Sequence, residues 1–398
     1  MLGWALLADT LPIYPLYALF FADTGLSDAQ ISALFAVWSA TGIVAEVPSG
    51  ALADRFGRRH ALVAAGVLQA AGYVLWVTLP GFAGFAAGFV LWGVGGALVS
   101  GAREALLYDG LVALGARREY TQVNGWVNAV GLVAELPTAL AATVLFAVGG
   151  YELAGWVSVG VCVAAAAVAS RLPEAAPAAA GHGPDADGAD GADDADDAAD
   201  ADLGYLATLR TGIREAASRP AVRAVVLAVT FVGGIDAVEE YFPLVTQGLG
   251  VPVAVVALAM LPMSVASALG SALAGRADRL RPGPLALLLG GSMVLLGLGA
   301  VTSLPVGIAA VAVGYGCYHA VLVVTEARLQ HRIEGRSRAT VTSVAGLGVE
   351  LMTFGVYAAW ALGGLTAVAG FGLVVALGLP LLLRTGVSGA RAGRPARR

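Results

Sequence analysis

Long apolar runs, each close to twenty residues, alternate along this chain with short polar turns. About twenty residues are enough to carry a helix across a bilayer. Twelve such segments are marked by hydropathy, at 2–21, 31–52, 61–79, 82–108, 123–148, 153–169, 222–245, 253–274, 285–302, 306–327, 340–362 and 365–383. With no water in lipid to satisfy the backbone, spans of this kind must be helical. Their polar interruptions also carry an orientation. Apart from Arg103, every arginine falls in or at the edge of the loops after the even-numbered segments, or in the C-terminal tail. Basic loops stay on the cytoplasmic side. The pattern predicts an all-α, multi-pass protein of the cytoplasmic (inner) membrane with both termini cytoplasmic.

Composition agrees with that reading. The 398 residues are 58% hydrophobic and 13% charged, with a mean hydropathy of +0.79, against about 25% charged in an ordinary soluble domain. All 23 basic residues are arginine. The net charge of −5 reflects one acidic loop rather than an acidic surface. Two cysteines, Cys162 and Cys317, lie far apart inside apolar segments, too few for a disulfide framework or a metal cluster. The apolar start is read as a first membrane helix, since it has no basic residue before Arg55, carries Asp9 and is followed by many further spans.

The chain divides into a first six-helix half at 1–170, a connecting region at 171–221, a second half at 222–384 and an arginine-rich tail at 385–398. The Ala/Asp/Gly/Pro-rich stretch 174–202 holds too little apolar surface to fold. Its alternating Asp185, Asp187 and Asp190 fail the calcium-loop spacing. Residues 203–219 place Leu206, Leu209 and Ile213 at helical spacing beside Arg210 and Arg214, which predicts a short amphipathic helix on the membrane surface. The halves echo one another: residues 51–55 resemble 275–279, and Glu104-Ala105 resembles Glu326-Ala327.

One polar turn stands out. From Gly50 the chain reads Gly50-x-x-x-Asp54-Arg55-x-Gly57-Arg58-Arg59 between the second and third segments. This pattern resembles the signature loop of the major facilitator superfamily of secondary transporters. The resemblance implies two pseudo-symmetric six-helix halves with a binding site near the midplane. It also implies a gate in which Asp54 caps a helix start near Thr340 and Arg55 pairs with Asp109. The stretch from Ser100 to Asp109 is similar to prokaryotic, drug-exporter-like members. The exporters' fifth-helix pattern G-x-x-x-G-P is replaced here by Gly131-Leu-Val-Ala-Glu135-Leu-Pro137, which keeps uptake of a sugar or other metabolite open.

Ionisable residues inside a bilayer are costly and by default functional candidates. They fall on segments 1, 2, 4, 5, 7, 10 and 11, and on none of 3, 6, 8, 9 and 12. In the family resembled, the third helix of each triplet faces lipid. Counting about 1.5 Å per residue, Glu135 and Glu350 sit near mid-membrane, Asp9 and Glu46 in the inner half, and Asp236 near the middle or just outside it. Glu135 and Glu350 lead as proton carriers, with Asp9 and then Asp236 behind them. His319 is either a packing histidine or a proton carrier. Arg103 pairs with Glu46 or Glu104, or meets substrate. Glu239 and Glu240 read as a solvated outer face, and Asp109 and Glu326 as structural partners of loop arginines. Tyr14, Tyr17, Trp38, Trp126 and Tyr241 either line a cavity or pack, and Pro12, Pro15, Pro137 and Pro262 are expected to kink their helices.

The motifs of hydrolases, zinc peptidases and phosphate-binding ATPases are absent. The reading is a non-enzymatic, proton-coupled transporter that works by alternating access and exports its cargo. Its expected partners are a small-molecule substrate, protons and lipid, without nucleic acid, cofactor or metal, and the monomer is the expected functional unit. A non-transporting membrane receptor is the rival from another class.

Overall fold

A computed structural model of the chain describes residues 1–174, 219–333 and 338–384, together with side chains throughout except at 47, 54 and 338–340. The acidic stretch after Glu174, the amphipathic helix expected at 203–219 up to its last residue, and the tail lie outside the described residues. No strand occurs among the described residues. The helices are α1 (Leu2–Asp9), α2 (Tyr17–Asp23), α3 (Asp28–Phe56), α4 (Arg58–Thr78), α5 (Phe82–Ala113) and α6 (Tyr120–Ala169) in the first half. The second half holds α7 (Pro220–Gly234), α8 (Phe242–Gly248), α9 (Val253–Ala277), α10 (Pro282–Val301), α11 (Val306–Arg332) and α12 (Arg338–Arg384).

Among the described residues, ten helical stretches are long and apolar enough to cross a membrane. Two of them, 53 and 44 residues long, are about twice what one crossing needs. Each is broken by a glycine pair. Gly150 takes φ 62°, ψ −157° inside α6, and Gly364 takes φ 58°, ψ −151° inside α12. Only glycine enters that region readily, so the same device turns the chain at the same place in both halves. The breaks coincide with the junctions expected from sequence between the fifth and sixth and between the eleventh and twelfth segments.

The helices pack as two compact units. One contains Met1–Gly25 and, from Val37 on, the rest of the first half; the other contains Leu26–Ala36 and the second half. Their internal wiring corresponds. In the first unit α4 packs on α5 and α6, and α1 on α6; in the second α10 packs on α11 and α12, and α7 on α12. Small residues make the core of the first unit, where Ala61, Ala65, Ala102, Ala165 and Ala169 pack around Leu62 and Leu106. Small side chains let membrane helices approach closely. Meanwhile Leu287, Leu377, Leu362 and Val148 are each more than 70% exposed. Apolar surface on that scale suits lipid rather than water.

The first and seventh segments, which correspond in the repeat, are both interrupted in mid-course. In the first, α1 stops at Asp9 and α2 begins at Tyr17, across Pro12 and Pro15, where proline removes backbone donors. The freed N–H of Ile13 donates to Ser158 Oγ of α6 at 3.0 Å in the buried core. In the seventh, α7 gives way at Ile235 to a 3₁₀ turn running to Tyr241. There the Tyr318 hydroxyl of α11 donates to the Val232 carbonyl at 3.0 Å. A broken membrane helix needs such side-chain partners for its backbone. Pro137 and Pro262 lie inside α6 and α9, away from any break.

Candidate functional site

The signature loop forms a tight corner between α3 and α4. Gly57 occupies φ 92° there, which a side chain would strain. Arg58 forms an ion pair with Asp109 of α5. The resemblance implies Arg55 for that role, but Arg55 lies in the last turn of α3 with its guanidinium 5.6 Å from the Phe56 ring. The correction is geometric: the turn at Gly57 starts a new helix, and Arg58 in its first turn faces α5. Arg59 meets an acid from the start of the connecting region. Its backbone N–H donates to Glu174 Oε1 at 3.3 Å, and its Nε lies 3.8 Å from Oε2. Glu174 thus places a carboxylate at the N-terminus of α4, where the helix dipole favours it. The Asp54 and Thr340 side chains fall outside the described ones.

Beside this corner lies an open cleft of about 420 Å³ lined by Arg58, Ser100, Glu104, Tyr108, Asp109 and Tyr120. Within the same unit, Ser100 Oγ donates to Glu46 Oε1 at 3.2 Å. Arg103 lies 3.8 Å from Glu104 Oε1 and acts electrostatically on Asp9. Of the two partners expected for Arg103, the structure therefore gives Glu104, and Glu46 takes Ser100. Asp9 sits where α1 ends, with Gly131 of α6 beside its carboxylate and Thr138 Oγ1 at 3.5 Å from its carbonyl. Glu135, one turn beyond Gly131 on α6, is half-buried.

In the second unit the interrupted seventh segment carries the charge. Tyr315 of α11 is 3% exposed, and its hydroxyl lies 3.0 Å from Asp236 Oδ1 and 2.9 Å from Glu239 Oε2. His319 Nε2 is 3.3 Å from Asp236 Oδ1, although it is not aligned as a hydrogen bond. Asp236 and His319, separate candidates in the sequence, are brought together by the fold, which adds Tyr315. Glu240, read from sequence as solvated, is 8% exposed. The 3₁₀ turn rotates it away from Glu239, which remains exposed. Glu350 is exposed on α12.

The aromatic residues pack. Tyr17 and Tyr241 are buried, Tyr14 and Trp38 meet Trp92 at ring distances of 6.0 and 5.0 Å, and Trp126 is exposed. Tyr241 stacks on Trp360 at 4.1 Å and shares a 2.8 Å hydrogen bond with Ser32. No group of three metal-binding side chains occurs among the described residues.

Comparison with known proteins follows the same lines. No curated protein sequence matches the chain. Among solved structures it is similar to the nucleoside transporter NupG, with TM-score 0.71, 11% identity and coverage of 96% of this chain and 98% of that one. It is also similar to a D-xylose-proton symporter, with TM-score 0.64, 16% identity and 95% of both chains covered. A bacterial homologue of the human lysosomal transporter Spinster gives TM-score 0.64 at 16% identity, over 96% and 90% of the chains. At such identities the likeness is one of fold. The family model of the Major Facilitator Superfamily matches residues 1–356, and with its all-helical fold and signature corner the chain belongs to that superfamily of membrane transporters.

Proposed function

We propose that this secondary transporter moves a small molecule across the cytoplasmic membrane by alternating access, coupled to protons and directed outward. On this reading each double-length helix is two spans, giving twelve, and the chain works as a monomer with both termini cytoplasmic. The observation that carries it is the paired interruption of the first and seventh segments, with Asp9 at one break and Asp236 at the other. Broken helices whose freed backbone and charged side chains meet near the membrane midplane are where transporters bind substrate and coupling ions. A carboxyl group kept among apolar helices has no role in a purely structural bundle, which argues against a receptor. Asp9, Glu46, Arg103, Glu135, Asp236, His319 and Glu350 are the transporter's candidates for binding the proton or the substrate.

Uptake is the second reading, favoured by the loss of the exporters' glycine-proline pattern at Gly131 to Pro137. A solved structure of the same fold is named as a symporter of a sugar and a proton. Purified protein in liposomes, with a pH dye inside and a panel of radiolabelled amines, sugars and nucleosides outside, tests both. Solute and proton fluxes of opposite sense support export, and fluxes of the same sense support uptake. Solute flux with no dye response would overturn proton coupling.

A further inference from the structure

The contacts of Tyr315 carry more than a packing role. Asp236 and Glu239 are three residues apart on a 3₁₀ turn, and in that geometry residues i and i+3 eclipse. Their carboxyl groups therefore stand side by side and reach the same hydroxyl, at 3.0 and 2.9 Å. Both separations suit a hydrogen bond. A phenol has one proton to donate and lone pairs with which to accept. It can satisfy one carboxylate. The second contact needs a hydrogen of its own, and the group that can supply it is a carboxylic acid donating to the phenolic oxygen. Two ionised carboxylates would instead set lone pairs against lone pairs.

A second observation points into the same place. His319 Nε2 is fully buried and finds no aligned hydrogen-bond partner, yet it lies 3.3 Å from Asp236 Oδ1. Its ring stands edge-on to Tyr315 at 4.5 Å. The remaining titratable groups are distributed around this centre. On α11, Tyr318 is engaged by the Val232 carbonyl, and Glu326 lies within electrostatic reach of Asp236 and His319. Glu240 and Tyr241 share the 3₁₀ turn, Tyr357 of α12 packs near Tyr241, and Glu350 of α12 is exposed. Asp28 at the start of α3 acts on Tyr241.

We propose that Asp236 and Glu239, bridged by the Tyr315 hydroxyl, form a proton-binding site that holds one shared proton, with His319 as the neighbour that exchanges it. The assignment rests on the proton-coupled reading and names its atoms. When the proton leaves, the carboxyl O–H bond breaks and the proton passes to His319 Nε2 or to water. Both acids are then anionic and repel each other, and one must release Tyr315. When a proton returns, the bridge closes again.

Infrared spectroscopy of the full chain in lipid nanodiscs reads this proton without any substrate. The wild type at neutral pH is expected to show a carboxylic acid C=O band that shifts in D₂O. The band should be lost in the Asp236→Asn/Glu239→Gln double variant and displaced in Tyr315→Phe, where its acceptor is gone. Glu326→Gln should leave it in place. A wild type with no such band, or a double variant that keeps it when Glu240, a second buried carboxyl, is also replaced by Gln, overturns the proposal. Should the amide variants not fold, the wild-type band and Tyr315→Phe decide alone. In liposomes, Glu239→Gln should lose proton-driven accumulation at least tenfold while solute exchange persists, and unchanged accumulation also overturns the site. A wild type that moves no solute would defeat the transport reading instead, leaving the infrared result to stand by itself.

Discussion

Arg328 of α11 reaches Asp278 at the end of α9, and this pair reverses the polarity of Arg58 and Asp109 in the first unit. In the first unit the arginine belongs to the corner and the acid to the neighbouring helix. In the second the corner supplies the acid. Its chain reads Leu280-Arg281-Pro282-Gly283 in place of the Gly-Arg-Arg ending. Arg328 also donates to the carbonyls of Asp278 at 3.1 Å and Leu280 at 2.8 Å. It thereby places a cation on the unsatisfied carbonyls at the C-terminus of α9. One structural position is thus filled by opposite charges, each suited to the helix end it meets.

The two pairs should respond differently to truncation. Arg328→Ala leaves carbonyls and a carboxylate without their donor and is expected to cost about 1–3 kcal/mol. Arg58→Ala removes a half-exposed pair, worth about 0–1 kcal/mol, and should act on turnover rather than on unfolding. Denaturation of the purified protein in micelles, beside counterflow rates in liposomes, separates them. Equal losses of stability would refute the difference in role.

Glu174 offers a graded test. Its carboxylate accepts the Arg59 N–H at the start of α4. Glu174→Ala should lower stability by about 0.3–1 kcal/mol, the usual range for an acid at a helix N-terminus. Glu174→Gln retains an acceptor without charge and should recover part of that. The loss for Ala should shrink in high salt, because the charge component is screened. A loss indifferent to salt would mean that the contact is steric.

The glycine breaks make a paired prediction. Gly150→Ala and Gly364→Ala each force a Cβ into a backbone region that costs about 1–3 kcal/mol. No neighbouring atom lies within 4 Å of either added Cβ, so the whole effect is conformational. Both variants should unfold at lower denaturant with similar shifts. A neutral result at either position would show that its turn relaxes to another shape.

Tyr241 joins ring packing to a buried hydrogen bond. Tyr241→Phe keeps the stack on Trp360 but leaves the buried Ser32 hydroxyl without this partner, at an expected cost of about 1–3 kcal/mol. Tyr241→Ala also opens a cavity, raising the cost to about 3–5 kcal/mol. Adding Ser32→Ala to the Phe variant should recover stability. If the double variant is no better than Tyr241→Phe, the hydrogen bond is not the cause.

The sequence by itself determined that this is an all-helical membrane protein, because an uninterrupted apolar run in lipid has no other way to satisfy its backbone. It determined the signature corner at Gly57, the break at Pro12 and Pro15 and the set of embedded acids, since each is written in residue type and local spacing. The junctions at Gly149-Gly150 and Gly363-Gly364 were visible as gaps in hydropathy. What it could not reveal is which acid meets which partner. Both faces of a membrane helix are apolar, so periodicity does not mark the side that is packed. Hence Arg58 rather than Arg55 at Asp109, and Glu240 buried rather than wetted. The 3₁₀ turn at Ile235–Tyr241 has no proline before Pro243 to announce it. Tyr315 stands 79 residues from Asp236, and only the packing of α11 on the interrupted seventh segment decided that its single hydroxyl would face two carboxyl groups.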